Sequence, residues 1–394
     1  MEYNIEDLFE IIRNGVNIKQ GFSGGYPITR IETISTGEIN RNKMGYAGIT
    51  DIAPFEKYIL EHEDILMSHI NSEKHLGKSA LYEKLENEQI IHGMNLLGLR
   101  VKSKILLPKF AIYLFQTQQF RKSLSKIVKK SVNQASFAVN DLKKIKVDIP
   151  SLEQQKYIVS VLDSCNRFIE KRQSQITALD ELTQSLFIEM FGAKNQSELT
   201  EVSEIAEVIG GLQVSGKRKN NPIEVPYLRV GNVYRNALAL DEIKLIRVTE
   251  SELKRTILKK HDILVVEGHG NKKEVGRASR WNGEILNCVH QNHLIKIRVA
   301  NEHVRPEYLC SFINSIDGKI YMYKNSNTTS GLNTISTNVV RKMKVYIPPL
   351  REQDKFIALK DKINNKKTKM SESLVQINSL YNSLLQKAFK GELF

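Results

Sequence analysis

One junction between a strand and a helix occurs twice in this chain, half a chain length apart. The segment IPSLEQQKYIVSVLD begins at Ile149, and IPPLREQDKFIALKD begins at Ile347. From Pro150 to Pro348 the step is 198 residues (348 − 150), in a chain of 394 residues. The same step relates further pairs along the chain, among them Asp64 with Asp262, His92 with His290, Arg100 with Arg298 and Phe191 with Phe389. This constant offset predicts an internal duplication, in which two copies of one unit follow each other.

The first part of each copy, residues 1–148 and 195–346, combines short apolar runs with Gly, Asn and Ser. HDILVV, HLIKIRV and MKVYIP are rich in Ile and Val, and they predict strands. LPKFAIYLFQTQQFRKSL and RPEYLCSFINSIDGKIYM carry a proline near the start, and they predict helices. Each of these parts is therefore expected to be an α+β globular domain, and the two domains should be similar.

A long helix is predicted after each domain, over residues 149–194 and 347–394. After Pro150 and after Pro348, apolar residues recur in heptad-like steps, along a seam that includes Leu380 in the second helix. Each helix should span about 40 residues, or about 60 Å at 1.5 Å per residue. Because a single apolar stripe on so long a helix needs a partner, we expect the two helices to pack as an antiparallel coiled coil with pseudo-twofold symmetry. Duplex DNA has local twofold symmetry and would suit such a protein.

The charge of the chain favours a polyanionic partner. It carries 58 Lys and Arg against 44 Asp and Glu, a net charge of +14, and nucleic acid is the commonest ligand of so basic a protein. Cys165, Cys288 and Cys310 form no CxxC pair and no disulfide framework, which suits a reducing compartment. No apolar run approaches the roughly 20 residues of a membrane helix. We therefore expect a cytoplasmic protein that binds double-stranded DNA and no membrane.

Motifs for catalysis are missing or incomplete. An adenine methyltransferase needs a glycine-rich cofactor loop and an Asn/Asp-Pro-Pro-aromatic clamp, but Asn221-Pro222 is followed by isoleucine. GFSGGYP has no strand before it and no helix after it, and the chain has no phosphate-binding loop for ATP. Glu242-Ile243-Lys244 imitates only half of a nuclease metal site, and the HQNH run from His290 lacks the further ligands of a zinc site. We expect no catalytic residue, metal or cofactor in this chain.

The order of these segments resembles that of the specificity subunit of type I restriction–modification systems. The resemblance covers the whole chain, and its most specific parts are IPSLEQQKYIV, SLFIEMFG, IPPLREQDKFI and AFKGELF at the helix ends. It implies that each domain is a target recognition domain that reads one half of a bipartite DNA sequence, while the paired helices set the gap. It also implies two docked modification subunits that carry S-adenosylmethionine, and restriction subunits that use ATP and Mg.

Polar loops supply the candidate DNA contacts, because Lys and Arg bind phosphates while Arg, Asn, Gln, Lys and His read base edges. The candidates in the first domain are Gln20, Arg30, His69, Asn71, Lys74, Lys78, Asn95, Asn133 and Gln134. The candidates in the second domain are Lys217, Arg218, Lys219, Arg229, Asn271, Lys272, Lys273, Arg277, Gln291, Asn292, Ser330, Asn333 and Thr334. For each of them, a solvated loop without a DNA contact is the competing interpretation.

Apolar residues outside the helix seams are candidates for binding the modification subunits. They are Phe168, Leu182 and Phe187 in the first helix, and Leu374 and Leu385 in the second. Each helix shows more apolar positions than one seam uses, so a second contact surface is expected on each.

Other functions remain open at this point. The chain could serve an orphan or other adenine methylase system that has no restriction subunit. It could be a coiled-coil adaptor that binds only proteins, although this leaves the charge of +14 without a role. It could be a single-chain DNA methyltransferase or nuclease, although this requires catalytic motifs that the chain lacks.

Overall fold

The structure is a computed structural model, and it describes nearly the whole chain as four ranges, 1–131, 134–192, 199–329 and 331–393. Two of the candidate DNA contacts, Asn133 and Ser330, lie outside the described residues. No helix in the described ranges is both long enough and apolar enough to cross a membrane.

The chain forms two compact units. Unit 1 comprises Met1–Gln173 and Glu372–Phe394, and unit 2 comprises Ser174–Ser371. Each unit therefore contains one globular part together with a segment of both long helices. The units share the same order of elements, as the duplicated sequence predicts.

Unit 1 begins with a strand and ends its globular part with another. Its strands and helices are β1 (Glu2–Asn4), α1 (Ile5–Leu8), β2 (Phe9–Asn14), β3 (Ile65–Ser68), β4 (Ile70–Asn71), β5 (Ser79–Leu81), β6 (Leu96–Val101), α2 (Pro108–Gln116), α3 (Gln118–Ile127), β7 (Lys129–Lys130), β8 (Ala135–Ser136), α4 (Val139–Lys143), β9 (Lys146–Asp148) and the first long helix α5 (Leu152–Phe191). Short 3₁₀ helices occupy Ile31–Ile34, Arg41–Lys43, Ala53–Tyr58 and Glu73–His75.

Unit 2 repeats this order with additional strands. Its elements are β10 (Leu199–Glu201), α6 (Val202–Ile205), β11 (Ala206–Gly210), β12 (Ile223–Leu228), β13 (Val233–Tyr234), β14 (Ala237–Leu238), β15 (Lys244–Val248), α7 (Glu250–Thr256), β16 (Ile263–Val266), β17 (Gly268–His269), β18 (Ala278–Arg280), β19 (Val289–His290), β20 (Leu294–Val299), α8 (Pro306–Asn314), α9 (Ile316–Lys324), β21 (Asn327–Thr329), β22 (Leu332–Thr334), α10 (Thr337–Arg341), β23 (Lys344–Tyr346) and the second long helix α11 (Leu350–Phe389). Its 3₁₀ helices are Gly216–Asn220, Val230–Asn232 and Lys272–Glu274.

The central sheets of the two units have one topology. The antiparallel sheet β2-β6-β3-β5 of unit 1 corresponds to β11-β20-β16-β18 of unit 2. The register agrees as well, since Ser68 pairs with Leu96 and Val266 pairs with Leu294, each 198 residues further on. The small sheets β1-β9 and β4-β8-β7 return as β10-β23 and β17-β22-β21. The predicted duplication is thus confirmed, and the α+β class with it.

The central strands are buried on both faces. In β3, Ile65 and Met67 belong to the main core of unit 1, where they meet Phe110 of α2. Leu66 lies between them in sequence, and it packs with Tyr82 in a separate cluster on the opposite face. This alternation follows from the two-residue period of a strand. It explains why the sequence shows a continuous apolar run here rather than an alternating one.

A buried ion pair spans the same two strands in both units. Arg100 on β6 donates from Nε and Nη2 to the carboxylate of Asp64, over 2.7 and 2.9 Å. Arg298 on β20 makes the same forked contact with Asp262, over 2.7 and 2.6 Å. Both carboxylates are almost fully buried, and each is therefore stable as an anion only while its arginine is present. This pair explains two of the matches at a step of 198 residues.

A buried glutamine explains the duplicated junction that opens each long helix. In α5, Gln155 is fully buried, and its Oε1 accepts the N–H of Leu107 over 2.9 Å. Its Nε2 donates to the carbonyls of Ile105 and Pro150, over 2.8 and 3.0 Å. The side chain thus satisfies three main-chain groups at once, and it joins the start of α5 to the loop before α2. We call this contact set the glutamine clamp.

Unit 2 contains the same glutamine clamp. Gln353 is fully buried at the start of α11, and its Oε1 accepts the N–H of Arg305 over 2.8 Å. Its Nε2 donates to the carbonyls of His303 and Pro348, over 2.8 and 2.7 Å. The proline of the junction ends the strand and supplies an acceptor, while the glutamine fixes the helix on its domain. The repeated Pro and Gln therefore have one structural role in both copies.

The long helices pair antiparallel in unit 1. Ile158 and Leu162 of α5 share the core of this unit with Leu385 and Ala388 of α11. Tyr381, which lies earlier in α11, packs against the same core and forms a side-chain hydrogen bond with Asn166, which lies later in α5. The hydroxyl of Tyr381 also donates to Oε1 of Gln116 in α2, over 3.2 Å. The helices thus pack on the globular part of unit 1 as well as on each other.

Unit 2 shows the same antiparallel pairing. The Phe187 ring of α5 lies 5.3 Å from the Phe356 ring of α11, measured between centroids. Earlier in α5, Asp180 forms an ion pair with Lys367, which lies later in α11. From Asp180 to Phe187 in α5, the partners in α11 go back from Lys367 to Phe356, so the two helices run in opposite directions. The predicted antiparallel arrangement is confirmed within each unit.

Candidate nucleic-acid interface

In unit 1 the small sheet β4-β8-β7 brings together two loops predicted to contact DNA. Asn71 belongs to β4, whose partner β8 directly follows Gln134, and Asn71 lies opposite Ala135 in the register. Nδ2 of Asn71 donates to Oγ of Ser68 over 3.3 Å, so this side chain is partly engaged at the end of the central sheet. Gln134 is exposed. These two candidates lie on one sheet although 63 positions separate them (134 − 71).

The matching sheet in unit 2, β17-β22-β21, pairs Gly268 with Thr334 and His269 with Asn333. Asn333 is buried, and its Nδ2 donates to the carbonyls of His269 and Gly270 over 3.3 and 3.0 Å. Its Oδ1 accepts the hydroxyl of Thr328 over 2.8 Å. Asn333 therefore joins strands inside unit 2, and its expected contact with DNA stays a prediction. Thr334 is only partly buried.

The basic loop of the second domain has a rigid centre and free ends. Arg218 is anchored, because its guanidinium donates to both carboxylate oxygens of Glu252 over 3.0 Å each. Lys217 and Lys219 flank it in the 3₁₀ helix and are exposed. Arg218 thus holds the loop, while the two lysines can reach a phosphate. Sequence composition alone does not separate these roles.

A second basic loop follows β17. Oδ1 of Asn271 accepts the N–H of Lys273 over 3.0 Å and caps the short 3₁₀ helix Lys272–Glu274. Nζ of Lys272 lies 4.5 Å from the centroid of the Tyr323 ring. Lys273 is exposed. The asparagine therefore shapes the turn, and the lysines carry its positive charge at the surface.

Two arginines among the candidates are engaged inside unit 2. Arg277 is only 6% exposed; its guanidinium pairs with Glu274 over 3.0 Å and lies 4.8 Å from the centroid of the Tyr234 ring. Arg229 pairs with Glu242 over 3.2 Å, and its buried Nε has no hydrogen-bond partner in the described part of unit 2. Arg277 thus has internal partners, and its expected DNA contact stays a prediction. Arg229 likewise has an internal partner in Glu242.

Three candidates of the first domain line one open cleft. Gln20, Arg30 and Asn95 come together there, and Nε of Arg30 donates to Oε1 of Gln20 over 2.5 Å. Nearby in sequence to β4, Lys74 is exposed, whereas Nζ of Lys78 donates to the carbonyl of Ser35. Arg30 thus has an amide partner in unit 1, whereas Arg229 pairs with a carboxylate in unit 2.

His69 is buried, as are Asn333 and Arg277 in the second domain. It is 6% exposed, and its ring contacts Phe137 edge-on, with centroids 6.2 Å apart. Its Nδ1 is buried without a hydrogen-bond partner in the described part of unit 1. Burial lowers the pKa of His69, so the ring is neutral at physiological pH. An unpaired buried ring nitrogen is costly, and it requires an explanation.

Gln291 and Asn292 lie between β19 and β20, as the HQNH run predicts. Their backbone is fixed, since the N–H of Gln291 donates to Leu228 O over 3.0 Å and that of Asn292 donates to Leu212 O over 2.9 Å. Both side chains are partly exposed. Two amide side chains on a fixed loop have the donor and acceptor groups that base edges require.

The helix residues predicted to bind partner subunits divide into two groups. Phe168 and Leu182 are 64% and 50% exposed, and Leu374 is half-buried. Phe187 and Leu385 are buried in the cores of unit 2 and unit 1. For these two, packing on their own globular part already covers the apolar side chain. The expected partner contact of all five stays a prediction.

Other exposed apolar residues on the helices were not predicted. Tyr157, Val375 and Leu380 are 51%, 70% and 57% exposed, and Ile188 is 45% exposed. Leu380 is wrongly placed by the heptad seam, which put it between the helices. Its exposure means that the apolar residues of α11 do not all lie between the two helices, because some of them pack on the globular part instead.

Histidine, cysteine and carboxylate side chains form no group suited to a metal ion in the described ranges. Cys288 and Cys310 are buried, and burial raises the pKa of the Cys288 thiol to about 12. His290 is buried between the carbonyls of Thr256 and Ile209, and burial lowers its pKa to about 3. The HQNH histidine thus serves the core as a neutral hydrogen-bonding group.

Comparison with known proteins agrees with this architecture. The family model described as "Type I restriction modification DNA specificity domain" matches twice, over residues 1–178 and 195–378. A solved chain from a study titled as the structural basis of complex assembly and conformational transition of the type I R-M system superposes with a TM-score of 0.61. It covers 100% of this chain and 98% of its own, at 15% identity. This last likeness concerns the fold.

Two curated relatives are similar over nearly the whole chain. A putative type I restriction enzyme MjaX specificity subunit of Methanocaldococcus jannaschii is 30% identical, over 98% of this chain and 90% of its own length. The type I restriction enzyme EcoKI specificity subunit of Escherichia coli K12 is 24% identical, over 93% of this chain and 82% of its own length. With both halves of the chain matched by the family model, this protein belongs to the family of type I restriction–modification DNA specificity subunits.

Proposed function

We propose that each globular domain of this chain reads one half of a bipartite DNA target. One observation carries the proposal: the two units share a central sheet, a buried ion pair and a glutamine clamp, while their polar loops differ. Contacts to phosphates carry no sequence information, whereas contacts to base edges do. Two equal frames with unequal loops therefore suit a protein that reads two different half-sites.

The basic loops supply the contacts to the DNA backbone in this proposal. Exposed lysines of the second domain, such as Lys217, Lys219 and Lys273, extend from turns that Arg218 and Asn271 stabilise. A net charge of +14 supports the same assignment. The logarithm of the binding constant should fall linearly with the logarithm of the salt concentration, because each phosphate contact releases counterions.

The long helices bind the other subunits of the complex in this proposal. Phe168 and Leu182 expose large apolar surfaces on α5, and such surfaces are stabilised when a partner covers them. Two modification subunits would dock on the helices and bring S-adenosylmethionine, and restriction subunits would bring the ATP- and Mg-dependent steps. The chain itself recognises DNA and catalyses neither methyl transfer nor cleavage.

Exchange of one domain tests the assignment of the two readers. Residues 1–148 are replaced by the corresponding domain of a relative, and the hybrid is co-expressed with the modification subunits. Methylome sequencing should show one half of the recognised sequence changed and the other half retained. The reciprocal exchange of residues 195–346 is the control, and it should change only the second half. A hybrid that changes both halves, or neither, would contradict the proposal.

The purified chain provides a test of the absence of catalysis. Incubated with DNA, S-adenosylmethionine, ATP and Mg, but without other subunits, it should leave the DNA unmethylated and uncut. Methylated or cleaved product from the chain alone would show that it is an enzyme in its own right. The restriction partner is tested separately, by co-purification from the native cell.

A further inference from the structure

One position on the shared frame holds a different titratable side chain in each unit. His69 directly follows β3, and Glu267 directly follows β16, 198 residues later (267 − 69). The carbonyl of His69 accepts the N–H of Phe137 over 3.2 Å, and that of Glu267 accepts the N–H of Ile335 over 2.9 Å. Phe137 and Ile335 are themselves 198 residues apart. The backbone at the two positions is therefore held in the same way.

Both side chains have unused hydrogen-bonding capacity. Nδ1 of His69 is buried without a hydrogen bond in the described part of unit 1. The Glu267 carboxyl is largely buried, and it has no hydrogen bond or ion pair to the described residues. Burial raises its pKa to about 7, which is the expected result for a carboxyl that has no cation beside it. A polar group kept partly buried and unsatisfied is a candidate for contact with a ligand.

The surroundings of Glu267 limit what that ligand can be. The backbone N–H of Glu267 donates to the carbonyl of His293 over 2.9 Å. The next strand, β17, leads into the loop that carries Asn271, Lys272 and Lys273. The lysines of this loop suit phosphates, whereas the Glu267 carboxylate is repelled by them. The group on DNA that can stabilise this carboxylate is an exocyclic amino group of a base, either N4 of cytosine or N6 of adenine.

We infer that the residue after the central strand, His69 in the first domain and Glu267 in the second, reads one base in each half-site. The inference rests on the proposed function, and it adds a residue and a base chemistry to it. Glu267 accepts a hydrogen bond from a base amino group, cytosine N4 or adenine N6. Neutral His69 has one unpaired ring nitrogen for a base in the other half-site. The difference between these two side chains contributes to the asymmetry of the target.

The test uses the complete complex and side chains of similar length. Glu267→Met keeps the size and removes the acceptor, so one base of one half-site should lose at least about tenfold of its discrimination in the methylome. His69→Leu should relax one base of the other half-site only. Glu302→Gln, on an exposed carboxylate of unit 2, is the matched control, and it should leave the motif unchanged. Thermal unfolding of each variant confirms that it is folded.

Glu267→Gln separates the two possible bases. A glutamine binds adenine well through N6 and N7, so an adenine should stay preferred in this variant. A preference for cytosine should be lost, because the bidentate partner of a glutamine is adenine, whereas the N4 group of cytosine pairs with a carboxylate. An unchanged motif with Glu267→Met, or the same half-site altered by Glu267→Met and His69→Leu, overturns the inference. If the wild-type complex itself shows no bipartite motif, the proposed function has failed instead.

Discussion

The aromatic core of unit 2 offers a quantitative test of where the long helices are anchored. The ring of Phe187 lies 5.1, 5.9 and 5.3 Å from the rings of Phe191, Tyr308 and Phe356, measured between centroids. It is only 7% exposed. Phe187→Ala would remove the ring that contacts α5, α8 and α11 together. We therefore expect this substitution to destabilise unit 2 strongly.

The expected magnitude follows from the buried area. A buried Phe removes about 150–250 Å² from water, and at roughly 25 cal/mol per Å² this contributes about 4–6 kcal/mol. Measured losses for Phe→Ala in cores are about 3–5 kcal/mol, which includes the cavity. Unit 2 has 198 residues (371 − 174 + 1), and for this size about 1 kcal/mol shifts Tm by roughly 2–4 °C. The unfolding transition of unit 2 should therefore fall by roughly 10 °C.

Phe168→Ala is the matched control, with the same residue type in the same helix. Phe168 is 64% exposed, so its substitution removes little buried area and should cost about 1 kcal/mol or less. Differential scanning calorimetry of the full chain measures both variants. Co-purification with a modification subunit adds the opposite comparison, since Phe168→Ala should weaken that binding if the exposed ring is a docking site.

Equal shifts in Tm for the two variants would refute the reasoning. That result would mean that the aromatic cluster does not anchor α5 to unit 2. A large loss of stability in Phe168→Ala would also refute the reasoning, because a ring so exposed has little buried area to contribute to stability. A stable Phe187→Ala variant that no longer binds the modification subunit would restore the partner-binding role that the sequence suggested for Phe187.

The remaining predictions concern buried polar groups of unit 2. Gln353→Leu leaves three main-chain groups unpaired at the glutamine clamp, and urea unfolding should show a loss of about 3 kcal/mol or more. Arg351→Leu, at an exposed position of the same helix turn, should cost less. Arg298→Met isolates the buried Asp262 carboxylate, so the same assay should show about 3–5 kcal/mol lost at pH 7. Burial lowers the pKa of Lys296 from 10.5 to about 8, so the unfolded chain binds more protons between these values and stability should rise from pH 8 to 10.5; Lys296→Met should abolish this rise.

The frame of this protein was predictable because it occurs twice. Asp64 and Asp262 stand in the same place relative to an apolar strand, and a repeated buried acid indicates a fixed structural role. The repeated Gln155 and Gln353 indicate a joint in the same way, although the atoms that they bind are known only from the structure. Repetition at a constant step is a signal that one sequence can supply by itself.

The roles of individual loop residues were less predictable. Arg277 and Asn333 have the residue types that contact DNA, but each fills an internal hydrogen-bonding need, which depends on distant segments. Glu267 was missed because a search for basic and amide side chains passes over a carboxylate. Comparison with His69 at the same step could have identified it, since two different titratable residues on one strand end are unusual.

The helix faces were misassigned for a related reason. A heptad pattern describes two helices packed on each other, but here the globular part is a third element against both. Phe187 and Leu385 therefore turn inward, while Leu380 faces solvent. Only the position of α2 and α8 on the helices decides this, and that position depends on the glutamine clamp, which links residues about 50 positions apart.

The chemistry of the glutamine clamp also has a consequence for inheritance. Every partner of Gln155 and Gln353 is a main-chain atom, so the clamp is indifferent to which side chains the neighbouring loop carries. Recombination with a breakpoint at Pro150 or Pro348 would deliver a foreign domain that is already able to form the joint. The same DNA segment would serve at either breakpoint, because both joints make the same contacts. A domain exchanged in this way would bring its joint to the helix with it, and only the side-chain contacts between domain and helices, such as that of Phe187 with Tyr308, would still have to match.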